Sequence, residues 1–324
     1  MDLKESDEVL VPSLHCGSVI ESLRRTGAKC VFYELNNDWI PDKDELDKLI
    51  SPRTHCLYLI HYLGFPIAVN FWREWCNEKK IFLIEDCAHC WPSPSSPVGF
   101  LGDISIFCPY KFFGLPPVSL LINMQKARVN NSGQSILFAK RLISTYLLGL
   151  KNQRPFLNKR SIHEDHNISF ELQKETRTDF IQNINLNFEL GDPYSTPPSW
   201  AIKLVRILDR LSVFESRRRN YLTLLSYFFD LVPPPFRKLP EDLVPFAFPI
   251  QHPNAPSVVD KLHAEGIIAM RLWPVAHPLL DANEVQNSKR IRETTICLPI
   301  NQNLSSSDLY RIKSAVERIL NNDL

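Results

Sequence analysis

The strongest constraint on this chain is an alternation in its first 123 residues. Short, mainly apolar runs at 8–12, 30–34, 56–61, 81–86, 104–107 and 118–122 are separated, through residue 86, by segments with helical periodicity. A strand that is apolar at every position has no face for water. Such strands belong to a parallel sheet covered on both sides by the connecting helices. The intervening segments carry the matching signals. Val19, Ile20 and Leu23 line one side of a helix over 17–26, which Gly27 closes. Asp42 is an N-cap for a helix over 43–50, with Pro52 just beyond it. A third helix over 70–80 has Phe71, Trp72 and Trp75 on one side.

The pattern then loosens. Residues 137–150 can form a helix, and 153–187 are polar with loop character. Pro193, Pro197 and Pro198 mark a boundary, followed by a long helix over 199–229. Beyond it the sequence predicts strands at 245–250 and 295–299, and a helix over 255–265 closed by Gly266. A terminal amphipathic helix over 306–320 comes last, with Leu309, Ile312, Val316 and Ile319 inward. The reading is therefore α/β, with a large domain at 1–198 and a smaller C-terminal α/β domain at 199–324.

Composition narrows the functional classes. The net charge is +1 over 324 residues, which gives no footprint for nucleic acid or an anionic membrane surface. The first residues are charged, without the apolar core of a signal peptide. No apolar run approaches the roughly 18 residues of a membrane span. Several of the eight cysteines sit inside strand-like runs, as reduced thiols do when packed as small hydrophobes in a cytoplasmic protein.

Chemistry is expected at the carboxyl ends of the parallel strands. Asp86 ends the most apolar run, and Lys111 lies just past the next one. A lysine and a carboxylate converging on one ligand would suit pyridoxal phosphate, which needs an amine for a Schiff base and an anion beside its ring nitrogen. Spacing alone leaves open a salt bridge or two unrelated polar residues. Cys87-Ala88-His89-Cys90 has a C-x-x-C spacing, but the second paired motif of a structural zinc is not evident. No metal is expected.

The local words go further. Asp7-Glu8-Val9-Leu10-Val11-Pro12-Ser13, Gly27-Ala28-Lys29-Cys30-Val31-Phe32 and Ser51-Pro52-Arg53-Thr54 occur in order, followed by Ile60-His61-Tyr62-Leu63-Gly64-Phe65-Pro66. Then come Glu85-Asp86-Cys87-Ala88-His89 and Leu101-Gly102-Asp103-Ile104-Ser105-Ile106-Phe107, leading to Lys111. Arg217-Arg218-Arg219-Asn220-Tyr221, Trp273-Pro274 and Leu298-Pro299-Ile300 continue the order. The set resembles the DegT/DnrJ/StrS aminotransferases.

That resemblance implies fold type I of the pyridoxal 5'-phosphate enzymes, and transfer of an amino group, from glutamate, to a keto sugar nucleotide or similar metabolite. It makes Lys111 the Schiff-base lysine and proton shuttle, Asp86 the partner of the pyridine nitrogen, and His89 a contact of the ring's phenolic oxygen. His15 or Cys16 stands where the family places a residue against the ring face; an imidazole stacks there, so His15 is preferred. Cys108 stands where relatives often use Ser against the cofactor phosphate, and a thiol is a poorer partner. A cytoplasmic homodimer with small-molecule substrates is implied.

The chain also departs from the family. Its first strand corresponds to a point some tens of residues into relatives, past the turn and helix whose N–H groups hold the phosphate. Val118 and Ser119 stand where relatives commonly have paired glycines. A truncated product with weakened cofactor binding, or contacts supplied by a partner subunit, would each account for this. A degenerate member acting as a binding or regulatory subunit is the non-enzymatic alternative. Sugar dehydration on the same cofactor is the catalytic one, although dehydratases that replace the lysine by histidine do not match Lys111.

Overall fold

The structure, a computed structural model, describes residues 3–91, 97–113, 120–123, 210–280 and 286–321. Six strands form the main sheet: β1 (Glu8–Pro12), β2 (Lys29–Tyr33), β3 (Thr54–Ile60), β4 (Phe82–Cys87), β5 (Ile104–Phe107) and β6 (Leu120–Asn123). Their order is β2-β1-β3-β4-β5-β6. The first five run parallel, and β6 pairs antiparallel with β5. The central runs read as doubly buried are so: all five residues of β1 are buried, as are the last five of β3 and of β4. The edge strand β2 is buried fully only at Tyr33, and β5 only at alternate positions, because strands toward the sheet's margins are covered less completely.

The connecting helices are α1 (Gly17–Arg24), α2 (Lys43–Leu49) and α3 (Val69–Lys79). Asp42 caps α2 as expected, accepting from the N–H groups of Asp44 and Glu45. Gly27, at φ +87°, turns the chain after α1. The α3 stripe needs a correction. Trp72, Trp75 and Cys76 are its buried face, whereas Phe71 is 44% exposed. At about 100° per residue, Phe71 is rotated off the i, i+3, i+4 line that the two tryptophans and the cysteine follow.

A one-turn helix, α4 (Tyr110–Phe113), follows β5. The C-terminal part contributes α5 (Arg210–Phe228), β7 (Phe248–Gln251), α6 (Ala255–Ala264), β8 (Met270–Arg271), α7 (Gln286–Thr294), β9 (Thr295–Leu298) and α8 (Ser306–Asn321). Strands β7, β9 and β8 make a second, antiparallel sheet. One apolar core runs through both parts. Phe65, after β3, packs edge-on against Phe236, and Trp39 does the same from the loop before α2. The expected helix at 137–150, the loop-like stretch 153–187 and the domain boundary near 198 fall outside the described residues. No helix among the described residues is long and apolar enough to cross a membrane.

Candidate active site

The parallel register carries the ends of β3 and β4 to one edge of the sheet. Asp86 pairs with Ile60, and Tyr58, two residues earlier on β3, shares the face of both. The Tyr58 hydroxyl therefore reaches the Asp86 side chain and donates to Oδ2 at 2.8 Å, while the Ala88 N–H donates to Oδ1 at 2.9 Å. Burial, with the neighbouring Asp86 charge, pushes the Tyr58 phenol well above its ordinary range, so it stays a protonated donor. Asp86 itself is 7% exposed. Each of its oxygens takes one of these hydrogen bonds and has lone-pair capacity for another.

His89 lies three residues on. The Leu63 N–H points at its Nδ1 at 3.4 Å, which assigns the ring hydrogen to Nε2. Burial, aided by the charge of Lys111, holds its pKa well below the usual histidine value, so the ring is neutral at neutral pH. Two aromatic rings flank it. Phe246 stacks parallel at 4.3 Å between centroids, and Trp273 lies at 5.5 Å and 19°. The Phe246 N–H donates to the Leu63 carbonyl at 2.9 Å, tying that ring to the turn after β3. Trp273 has φ +45°, a left-handed conformation unusual for a bulky residue. Lys111 sits on α4, and its Nζ is 5.8 Å from the Phe246 ring centroid. The lysine, the imidazole and this aromatic ring are thus neighbours.

The turn from β1 to α1 separates the two candidates for the ring face. His15 is buried, donates from Nδ1 to the Pro12 carbonyl at 2.8 Å, and stacks on Phe32 at 5.4 Å. Burial lowers its pKa to about 4. Its Nε2 has no hydrogen-bond partner among the described residues. Cys16, the next residue, lies within electrostatic reach of both Tyr58 and Tyr110. The Cys108 thiol is hydrogen-bonded to the Tyr110 phenol, whose pKa burial raises.

A second polar group lies beneath the site. His61, Glu85 and Cys87 bring ligand-type atoms within 4.8 Å of one another, all buried. Their hydrogen bonds describe a closed knot. His61 Nδ1 accepts the Ile67 N–H at 3.2 Å, so Nε2 carries the hydrogen it gives to Glu85 Oε2 at 3.0 Å. Glu85 also accepts from the N–H groups of Gly99 (2.7 Å), Leu101 (3.0 Å) and Gly102. Burial alone would raise its carboxyl, but the bonds from His61 and the glycine N–H groups outweigh it and the pKa falls. All eight cysteines lie among the described residues, and none forms a disulfide.

Sequence reasoning missed Tyr58 and Phe246. Tyr58 did leave a signal: a phenol inside an aliphatic strand needs a polar partner. Phe246 left none locally, because it reaches His89 from far along the chain.

The chain is an α/β protein with the fold of solved aminotransferases. Residues 1–114 match the DegT/DnrJ/EryC1/StrS aminotransferase family. GDP-perosamine synthase of Escherichia coli O157:H7 is 31% identical over 117 residues, which is 35% of this chain. The match spans about a third of that relative, 31% of its length. Among solved structures, the aminotransferase TlmJ of Streptoalloteichus hindustanus superposes with a TM-score of 0.66 at 18% identity, covering 99% of this chain and 81% of its own. NtdA of Bacillus subtilis, solved with its cofactor PMP bound, gives 0.65 at 17%, covering 98% and 69%.

Proposed function

We propose that the protein is a pyridoxal-phosphate-dependent aminotransferase that passes an amino group, from glutamate, to the keto carbon of a sugar nucleotide or a similar metabolite. The observation that carries this reading is Asp86: a buried carboxylate at a strand end, held by two hydrogen bonds, with an amine-bearing lysine two elements later, on α4. The donor set suits the ring end of the cofactor. Asp86 would face the ring nitrogen, the Nε2 hydrogen of His89 would face the phenolic oxygen, and His15 or the adjacent Cys16 would lie against the ring.

The bound cofactor would supply an aldehyde carbon that condenses with amines and a ring that accepts an electron pair. The side chains do the rest. Lys111 holds the cofactor and, once released from it, takes and returns the proton at the substrate carbon. His89 is neutral, so it donates a hydrogen bond without adding a charge beside the lysine. Phe246 and Trp273 cover His89 and exclude water from that side. The sugar-nucleotide acceptor follows the name of the similar GDP-perosamine synthase, whereas the cytoplasmic homodimer and a place in nucleotide-sugar or polysaccharide biosynthesis follow only from the resemblance to the aminotransferase family.

One observation favours a second reading, a binding or regulatory subunit. Cys108, at the position expected to meet the phosphate, is a thiol already bonded to Tyr110. Titrating the purified chain with pyridoxal phosphate separates the two. A cofactor band in the visible range that disappears in Lys111→Ala, with amine transfer from glutamate to a keto sugar nucleotide, supports the enzyme. The lack of any band at saturating cofactor would overturn it.

A further inference from the structure

Tyr58 is an aromatic residue in a strand otherwise built mainly of small and aliphatic side chains. Its ring is 5% exposed, and its backbone carbonyl accepts the Tyr33 hydroxyl at 2.8 Å, so both ends of the residue are fixed. A phenol this deeply buried must find a partner, and its partner is Oδ2 of Asp86 at 2.8 Å. With Ala88 on Oδ1, the carboxylate is held by one donor on each oxygen and cannot rotate freely. A neutral donor on a carboxylate also drains its negative charge and weakens its hold on a proton.

We infer that Tyr58 is a positioning residue: it fixes the plane of the Asp86 carboxylate and keeps the shared proton on the ring nitrogen of the cofactor rather than on the carboxylate. The inference deepens the aminotransferase reading and rests on it. Tyr58 touches Asp86 and acts through it. Without the hydroxyl, Asp86 becomes a stronger base in a more mobile setting, and the proton moves toward it.

The test is the nitrogen resonance of the full-length chain loaded with pyridoxal phosphate labelled with 15N in the ring, alongside the cofactor dissociation constant. Tyr58→Phe is expected to move the resonance toward that of the unprotonated pyridine and to weaken cofactor binding by about 10-fold, the scale of one hydrogen bond to a charged group. In an Asp86→Asn background the same substitution should change neither. Tyr221→Phe removes a comparable buried phenol, one bonded to the Phe236 carbonyl and not to Tyr58 or Asp86, and serves as the scaffold control. An unmoved resonance and affinity in Tyr58→Phe, or an equal shift in Tyr221→Phe, would overturn the inference alone. If the parent chain binds no cofactor, the aminotransferase reading falls, and the inference with it.

Discussion

His61 gives its Nε2 hydrogen to Glu85 across 3.0 Å in a place where neither side chain meets water. The pair is the floor of the strand end that presents Asp86, and through Glu85 it ties the loop at 99–102 to β4. A buried acceptor with four donors is costly to alter, because each donor loses its partner.

Glu85→Gln is therefore expected to destabilise the fold by about 3 kcal/mol, measured by urea unfolding. Its pH dependence has a definite sign. The folded-state pKa is lowered from 4.5, so the carboxylate's contribution is complete above that value and is lost as pH falls through the folded-state pKa. The variant should lose that acid-limb dependence, and an unchanged acid limb would contradict the assignment.

His15 titrates in the same sense, over a window at higher pH. Its pKa is lowered from 6.5 to about 4 by burial, so between those values the unfolded chain binds more protons. Its contribution makes stability rise with pH across that window and level off above it. A His15→Phe variant should show a flatter profile over the same range, measured by chemical unfolding at successive pH values.

Gly64 has φ +92°, and a side chain there would meet the His89 carbonyl at 2.7 Å and the Val244 carbonyl at 3.0 Å. Both obstacles are backbone. Gly64→Ala should cost about 2 kcal/mol or more and disturb His89 in particular. Thermal unfolding reports the first effect, and the His89 ring resonances report the second.

Phe246→Ala should leave the main sheet intact by circular dichroism while removing the ring that stacks on His89. Loss of a stacked aromatic is worth about 1 kcal/mol beyond its area. We expect the His89 pKa to rise toward the ordinary histidine value as water enters, read by proton NMR. Cofactor affinity should fall with it.

Much of the fold was legible because doubly buried strands leave an unmistakable mark. The runs at 8–12 and 104–107 coincide with β1 and β5, and the others lie within two residues of their strands. Strand β8 has only two residues, too few for any period to show. Helix α7 is polar almost throughout and presents Ile291 as its one buried aliphatic residue, so no stripe announced it. Asp86 and Lys111 stood out because the sheet topology puts strand ends, and the residues just after them, at one edge, whereas their roles and the choice of His89 came from the resemblance to the aminotransferase family. Tyr58 lies below that edge. The turn at Cys16 was ambiguous because adjacent residues there face different neighbours, and sequence does not say which.

The stack of Phe246 and Trp273 on His89 divides the candidate site between two stretches of chain. The stretch matched to the family model, 1–114, holds Asp86, His89 and Lys111, whereas the two covering rings come from beyond it. Exchanging the C-terminal lobe with that of a relative would thus graft a new roof onto an old hearth. Asp86, Tyr58 and Lys111 would be inherited unchanged, while the shape of what can be admitted beside them would be rewritten.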